Sequence, residues 1–126
     1  MERFLWITFG GALGTGARYL VAVWASQRFG TAFPYGTLFV NLVGCFVMGF
    51  LMELATSVAA FPVTLRLALS VGFLGGLTTY SSFNFETTKL FRDGTLALAL
   101  WNVGMTAFGG FVAGVLGLAL ARYVAG

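Results

Sequence analysis

Four apolar stretches, at about residues 4–26, 35–57, 63–91 and 95–121, occupy nearly all of a 126-residue chain. A helix of about 20 residues crosses the ~30 Å hydrocarbon core of a bilayer, so each stretch is long enough to span it. The predicted fold is an all-α membrane protein, with residues 1–126 forming one domain of four transmembrane helices. No stretch is left over for a soluble domain. The charged fraction of 9% agrees, since a soluble domain carries about 25%. The first stretch exceeds the ~7–15-residue apolar core of a cleavable signal peptide, so it is expected to stay as a span. A multi-pass protein of the inner (plasma) membrane is expected.

The third stretch does not read as a uniform membrane helix. It contains Gly75-Gly76-Leu77-Thr78-Thr79-Tyr80-Ser81-Ser82-Phe83-Asn84-Phe85-Glu86-Thr87-Thr88, with six Thr and Ser residues ahead of the first cation, Lys89. Non-helical backbone at membrane depth survives only where protein or a water-filled cavity covers it. The glycine pair supplies freedom for a break, at roughly 1 kcal/mol each against alanine. Residues 75–79 are therefore predicted to break the third helix mid-membrane. The rings and hydroxyls after them are predicted to line a pathway. The stretch is also too long for one straight crossing.

Beyond the break, Tyr80 and Phe83 share one helix face, with Thr79, Ser82 and Glu86 on an adjacent one. In the second stretch Thr37, Asn41 and Gly44 fall on one face at helical spacing. Asn41 offers an amide deep in the bilayer, either to another helix or to an anion in transit. The fourth stretch carries Asn102 and Thr106 four apart, and its pairs Gly110/Gly114 and Ala113/Gly117 suit close helix contact. Gly10 and Gly14 do the same in the first stretch, between Trp6 and Trp24, which ~27 Å of helix places at opposite interfaces. Arg18 in that stretch reads as a snorkelling side chain, a fixed charge at the mouth of an anion path, or an ion-pair partner.

Several chemistries are excluded. There is no histidine, so Ser-His-Asp catalysis and histidine-held metals are absent. The one cysteine, Cys45, has no internal disulfide partner and reads as a small buried apolar residue. The net charge of +3 is spread along the chain, without the basic cluster that nucleic acid binding needs. Glu53 and Glu86 have no evident nucleophile or metal partner, so an enzyme is not expected.

With four spans, Arg3, Arg66 and Arg122 fall on one side of the membrane and Arg28, Lys89 and Arg92 on the other. Three against three leaves no positive-inside bias. The chain is thus expected to insert both ways and to pair as an antiparallel, dual-topology homodimer, because four helices alone enclose little room for a polar path. Breaks meeting on the dimer two-fold axis would pool backbone carbonyls, and such an oxygen cage suits sodium.

These residues resemble a known family. Gly75-Gly76-Leu77-Thr78-Thr79-Tyr80-Ser81-Ser82-Phe83 is similar to the third-helix signature of the Fluc (CrcB) fluoride channels. Gly14-Thr15-Gly16-Ala17-Arg18-Tyr19 and Gly36-Thr37-Leu38-Phe39-Val40-Asn41-Leu42-Val43-Gly44 resemble its first- and second-helix motifs. The likeness covers essentially the whole chain. It implies a passive fluoride-selective channel that lets fluoride leave down its gradient, with two pores in an antiparallel homodimer, each lined by both subunits. It implies a central structural sodium held by the backbone carbonyls of Gly75 and Thr78. It places Tyr80 and Phe83 along the pores with Asn41 nearby and Asn102 and Thr106 as a polar track. Thr37, Thr79, Ser81, Ser82, Arg18 and Glu86 complete the candidate pathway. The family's first pore ring is usually phenylalanine, where this chain has Tyr80, and Gly110 shortens the polar track. The rival reading is a small multidrug-resistance-type, proton-coupled exporter. Such exporters need a membrane-embedded carboxylate in the first span, which here has only Glu2, outside the bilayer.

Overall fold

The computed structural model describes all 126 residues, and they are almost entirely helical. Helix α1 (Glu2–Phe29) carries Glu2 in its first turn and Arg28 in its last, each complementing the helix dipole. Gly30 ends it at φ 81°, a left-handed conformation open to glycine without a Cβ penalty. Helix α2 (Tyr35–Ser57) starts after Pro34. Helix α3 covers residues 63–77, starting after Pro62, with wide π-helical turns over Ala68–Leu74. Thr78 and Thr79 then run extended, at φ/ψ −89°/156° and −153°/124°. Helix α4 (Tyr80–Arg92) resumes, a turn at Gly94 with φ 83° reverses the chain, and α5 (Leu96–Ala125) closes it. A second π-helical stretch, Met105–Gly109, lies within α5.

Three helical segments are long and apolar enough to cross a membrane: Tyr35–Ser57, Val63–Arg92 and Leu96–Ala125. Helix α1 has the length, 28 residues, while its glycines and Arg18 dilute its apolar character. Helices α1 and α5 run a few residues beyond the expected 4–26 and 95–121, because their polar ends continue the ladder of backbone hydrogen bonds.

The interruption is narrower than the glycine pair suggests. Gly75 and Gly76 are helical, and only Thr78 and Thr79 leave the helix. Gly76, with Gly72 and Gly10, serves contact instead. A Cβ on Gly76 would come within 2.5 Å of the Gly11 carbonyl oxygen, one on Gly72 within 2.6 Å of that of Ile7, and one on Gly10 within 2.5 Å of that of Ala68. Gly14 likewise leaves no room against the Phe73 carbonyl. Helices α1 and α3 therefore meet backbone to backbone. Helices α2 and α5 do the same where Gly49 faces Gly114 and Gly117 faces Phe46. Between helices in lipid the hydrophobic effect contributes little, and association depends on such close packing.

Val40, Leu51, Leu74 and Leu77 form the buried apolar centre. Only 18 of 126 residues are buried, so most apolar side chains face outward, toward lipid or another chain.

Candidate functional site

The site begins at the two extended residues. Asn41, on α2, meets the backbone of Thr79 at both ends of its amide. The Thr79 N–H donates to Asn41 Oδ1 at 2.8 Å, and Asn41 Nδ2 donates to the Thr79 carbonyl at 3.0 Å. One backbone donor and one backbone acceptor settle the amide's orientation. The side chain of Thr79 caps the start of α4 by accepting from Ser82 N–H at 3.2 Å. Thr78 turns its hydroxyl back to the Leu74 carbonyl at 2.8 Å, and Gly44 makes room for its methyl group.

Arg18 reaches the same place from α1, its Nε donating to the Gly76 carbonyl at 3.0 Å. The ion-pair reading of Arg18 is corrected here: its partner is the negative end of α3, and the one salt bridge in the chain joins Arg122 to Glu53 at 2.8 Å. A guanidinium on the last carbonyls of a helix satisfies both an orphan acceptor and the dipole.

Beside the interruption lies an open-sided groove of about 600 Å³ whose lining includes Asn41, Cys45, Thr79, Tyr80, Phe83 and Thr106. The Tyr80 and Phe83 rings meet edge-on, centroids 5.7 Å apart at 64°. Tyr80 is 79% exposed, so nothing in the chain itself covers it. The Thr106 hydroxyl is buried and has no hydrogen-bond partner. Asn41 keeps one amide hydrogen beyond its bond to Thr79.

Thr37 and Glu86 sit apart from that groove, in a second cavity of about 460 Å³ that also holds Tyr35, Lys89 and Asp93. The Thr37 hydroxyl donates to Glu86 Oε1 at 2.8 Å, while Oε2 is buried without a partner. Ser81 is exposed, with its hydroxyl 3.3 Å from that of Thr79, and Ser82 is half-buried. Asn102 lies outside both cavities. It is 1% exposed, and its amide donates to the Thr87 hydroxyl at 2.9 Å, which in turn donates to the Phe83 carbonyl at 2.7 Å. Thr87, missed in the sequence, thus links α5 to the turn that carries Phe83. Its position four residues after Phe83 was the available signal, since a threonine can bond back to that carbonyl.

No cluster of three His, Cys, Asp or Glu side chains comes together. The atoms that could hold a cation are the backbone carbonyls at the interruption. Thr79 N–H, which would serve Gly75 in a continuous helix, goes to Asn41, and Ser82 N–H, which would serve Thr78, goes to the Thr79 side chain. The carbonyls of Gly75 and Thr78 therefore lose their helical donors, and they fit a small hard cation, which prefers oxygen ligands.

These features define a class: a multi-pass helical membrane protein with a mostly apolar groove, carrying a few polar groups, beside an interrupted helix. Residues 5–118 match the family described as CrcB-like protein, Camphor Resistance (CrcB), and the chain belongs to that family. It is 50% identical over 122 residues to the fluoride-specific ion channel FluC of Sorangium cellulosum, covering 97% of this chain and 96% of the relative. The FluC of Citrifermentans bemidjiense is 47% identical over 97% of this chain and 98% of its own length. That of Chloroflexus aurantiacus is 39% identical over the full length of both. All three names are those of ion channels, and none is that of an enzyme.

Proposed function

We propose that the protein is a passive, fluoride-selective channel of the plasma membrane. The single observation that carries this reading is the placement of Tyr80 and Phe83, edge to face, in a groove that runs along the interruption and holds unspent donors. Full-length similarity to proteins named as fluoride channels supports it. A strongly hydrated anion passes only where many weak positive ends replace its water. Here these are the free amide hydrogen of Asn41, the Tyr80 hydroxyl and the positive ring edges of Phe83 and Tyr80, and the buried Thr106 hydroxyl joins them by turning toward the groove. Several weak stations bind without trapping, which conduction requires. Thr37 and Glu86 stand at the second cavity as the approach to that path.

The functional particle in this reading is an antiparallel, dual-topology homodimer of two four-span subunits, the interruption lying mid-membrane. The open groove and the exposed Tyr80 are the surfaces that a second copy would cover, giving two pores. The balanced flanking charges favour insertion both ways. The carbonyls of Gly75 and Thr78 would hold a structural sodium on the two-fold axis, where its charge offsets converging oxygens. The multidrug exporter reading is set aside, because the relatives are named as channels.

Fluoride efflux from liposomes carrying the purified protein tests the function. An electrode should record rapid fluoride release while chloride is retained. Vesicles that hold fluoride as tightly as bare lipid would refute it.

A further inference from the structure

The interruption is built by side chains, and their choice of partners has a consequence. We propose that Asn41 and Thr79 are positioning residues that keep the Gly75 and Thr78 carbonyls open, so that a cation site exists before any ion arrives. The proposal rests on the reading of a structural sodium at those carbonyls.

In an unbroken helix each carbonyl accepts from the N–H four residues on. The donors due to Gly75 and Thr78 are Thr79 N–H and Ser82 N–H. Both are diverted, the first to Asn41 Oδ1 at 2.8 Å and the second to Thr79 Oγ1 at 3.2 Å. Two side chains of different origin remove two donors that lie three residues apart. One comes from α2, 38 positions away in sequence, and the other from the cap residue itself. The carbonyl of Gly76, between them, is handled differently: Arg18 occupies it at 3.0 Å. The chain therefore fills one carbonyl with its own cation and strips the donors from two others.

A carbonyl without a partner is costly wherever water is kept away, and the Gly75 and Thr78 carbonyls stay open only while their donors have better acceptors. Removing Oδ1 of Asn41 or Oγ1 of Thr79 leaves the diverted N–H without an acceptor. It would then return to the helical bond and close the carbonyl. Asn41 thereby has a role separate from its free amide hydrogen, and Thr79 acts through its hydroxyl without touching the ion.

The test is the sodium dependence of thermal unfolding for purified full-length protein, with sodium titrated against N-methylglucamine. Sodium should raise the midpoint of the unaltered chain by mass action. Asn41→Ala and Thr79→Val should each need about 10- to 100-fold more sodium for the same rise, the usual effect of losing a residue that orients a metal's ligands. Thr79→Ser keeps the hydroxyl and should match the parent. With a parent that responds to sodium, an unchanged sodium dependence in both Asn41→Ala and Thr79→Val overturns the proposal. Amide hydrogen exchange on the unaltered chain is a second arm that needs no variant to fold. Thr79 and Ser82 amides should be protected without sodium, and free exchange until sodium is added also overturns it. A parent chain indifferent to sodium but protected at both amides would remove the sodium reading and leave the positioning of the carbonyls standing.

Discussion

Helices α3 and α4 belong to one 30-residue apolar segment, yet they are held by opposite means. Helix α3 buries Ser70, Gly72, Leu74 and Leu77 and lies directly on α1 through glycine-to-carbonyl contacts. Helix α4 buries no residue and is tied to the rest by hydrogen bonds, through Asn41, Thr37 and Asn102. Its most exposed ring, Tyr80, stands at the point where the two meet. A segment anchored by shape in one half and by polar links in the other gives a rigid frame and a face free for other work. The interruption between them lets that face turn away from the packing surface of α3.

Steric damage should be greatest on the α3 side. Gly14→Val would put a side chain into the Phe73 carbonyl and within 2.9 Å of the Leu77 nitrogen. Overpacking against backbone should cost about 3 kcal/mol, seen as a collapse of the unfolding midpoint. Arg18→Met comes next. It strips the Gly76 carbonyl of a charged donor, a loss of about 2 kcal/mol. A change below about 0.5 kcal/mol, the range of ordinary surface substitutions, would mean that Arg18 merely snorkels.

On the α4 side the expected effects move from stability to flux. Phe83→Ile should leave the unfolding midpoint nearly unchanged while cutting fluoride efflux about tenfold, the equivalent of one aromatic edge worth about 1.5 kcal/mol. Undiminished efflux would remove Phe83 from the pathway. Tyr80→Phe should be the smallest in stability, within about 0.5 kcal/mol, because the ring is exposed and its hydroxyl bonds to nothing in the chain. Its efflux rate then reports whether that hydroxyl helps or narrows the path.

Much of this division can be read along the chain. The small-residue pairs of the first and fourth stretches do lie at helix contacts, since lipid rewards close backbone approach wherever glycines align. Asn41 was legible as a buried amide, whereas the capping by Thr79 was not. The sequence puts Thr79 on a helix face with Ser82 and Glu86, and the structure puts it ahead of the helix. The place of Asn102 was not legible. On a helical wheel it falls beside Thr106, but Asn102 is buried with its amide on Thr87, while Thr106 lines the groove.

What the sequence determined by itself is the set of helices and their rough ends. Backbone in lipid must satisfy its own hydrogen bonds, so an apolar run of sufficient length has few alternatives to a helix. Where the third segment stops being helical was decided only by the tertiary structure. Two glycines mark the spot in sequence, yet both stay helical, and Gly76 lies directly against α1. Of the two residues that leave the helix, Thr79 is the one whose N–H and carbonyl find a better partner in Asn41, 38 residues upstream. Hydrogen bonds are won by proximity in space, and that proximity exists only once α2 is in place.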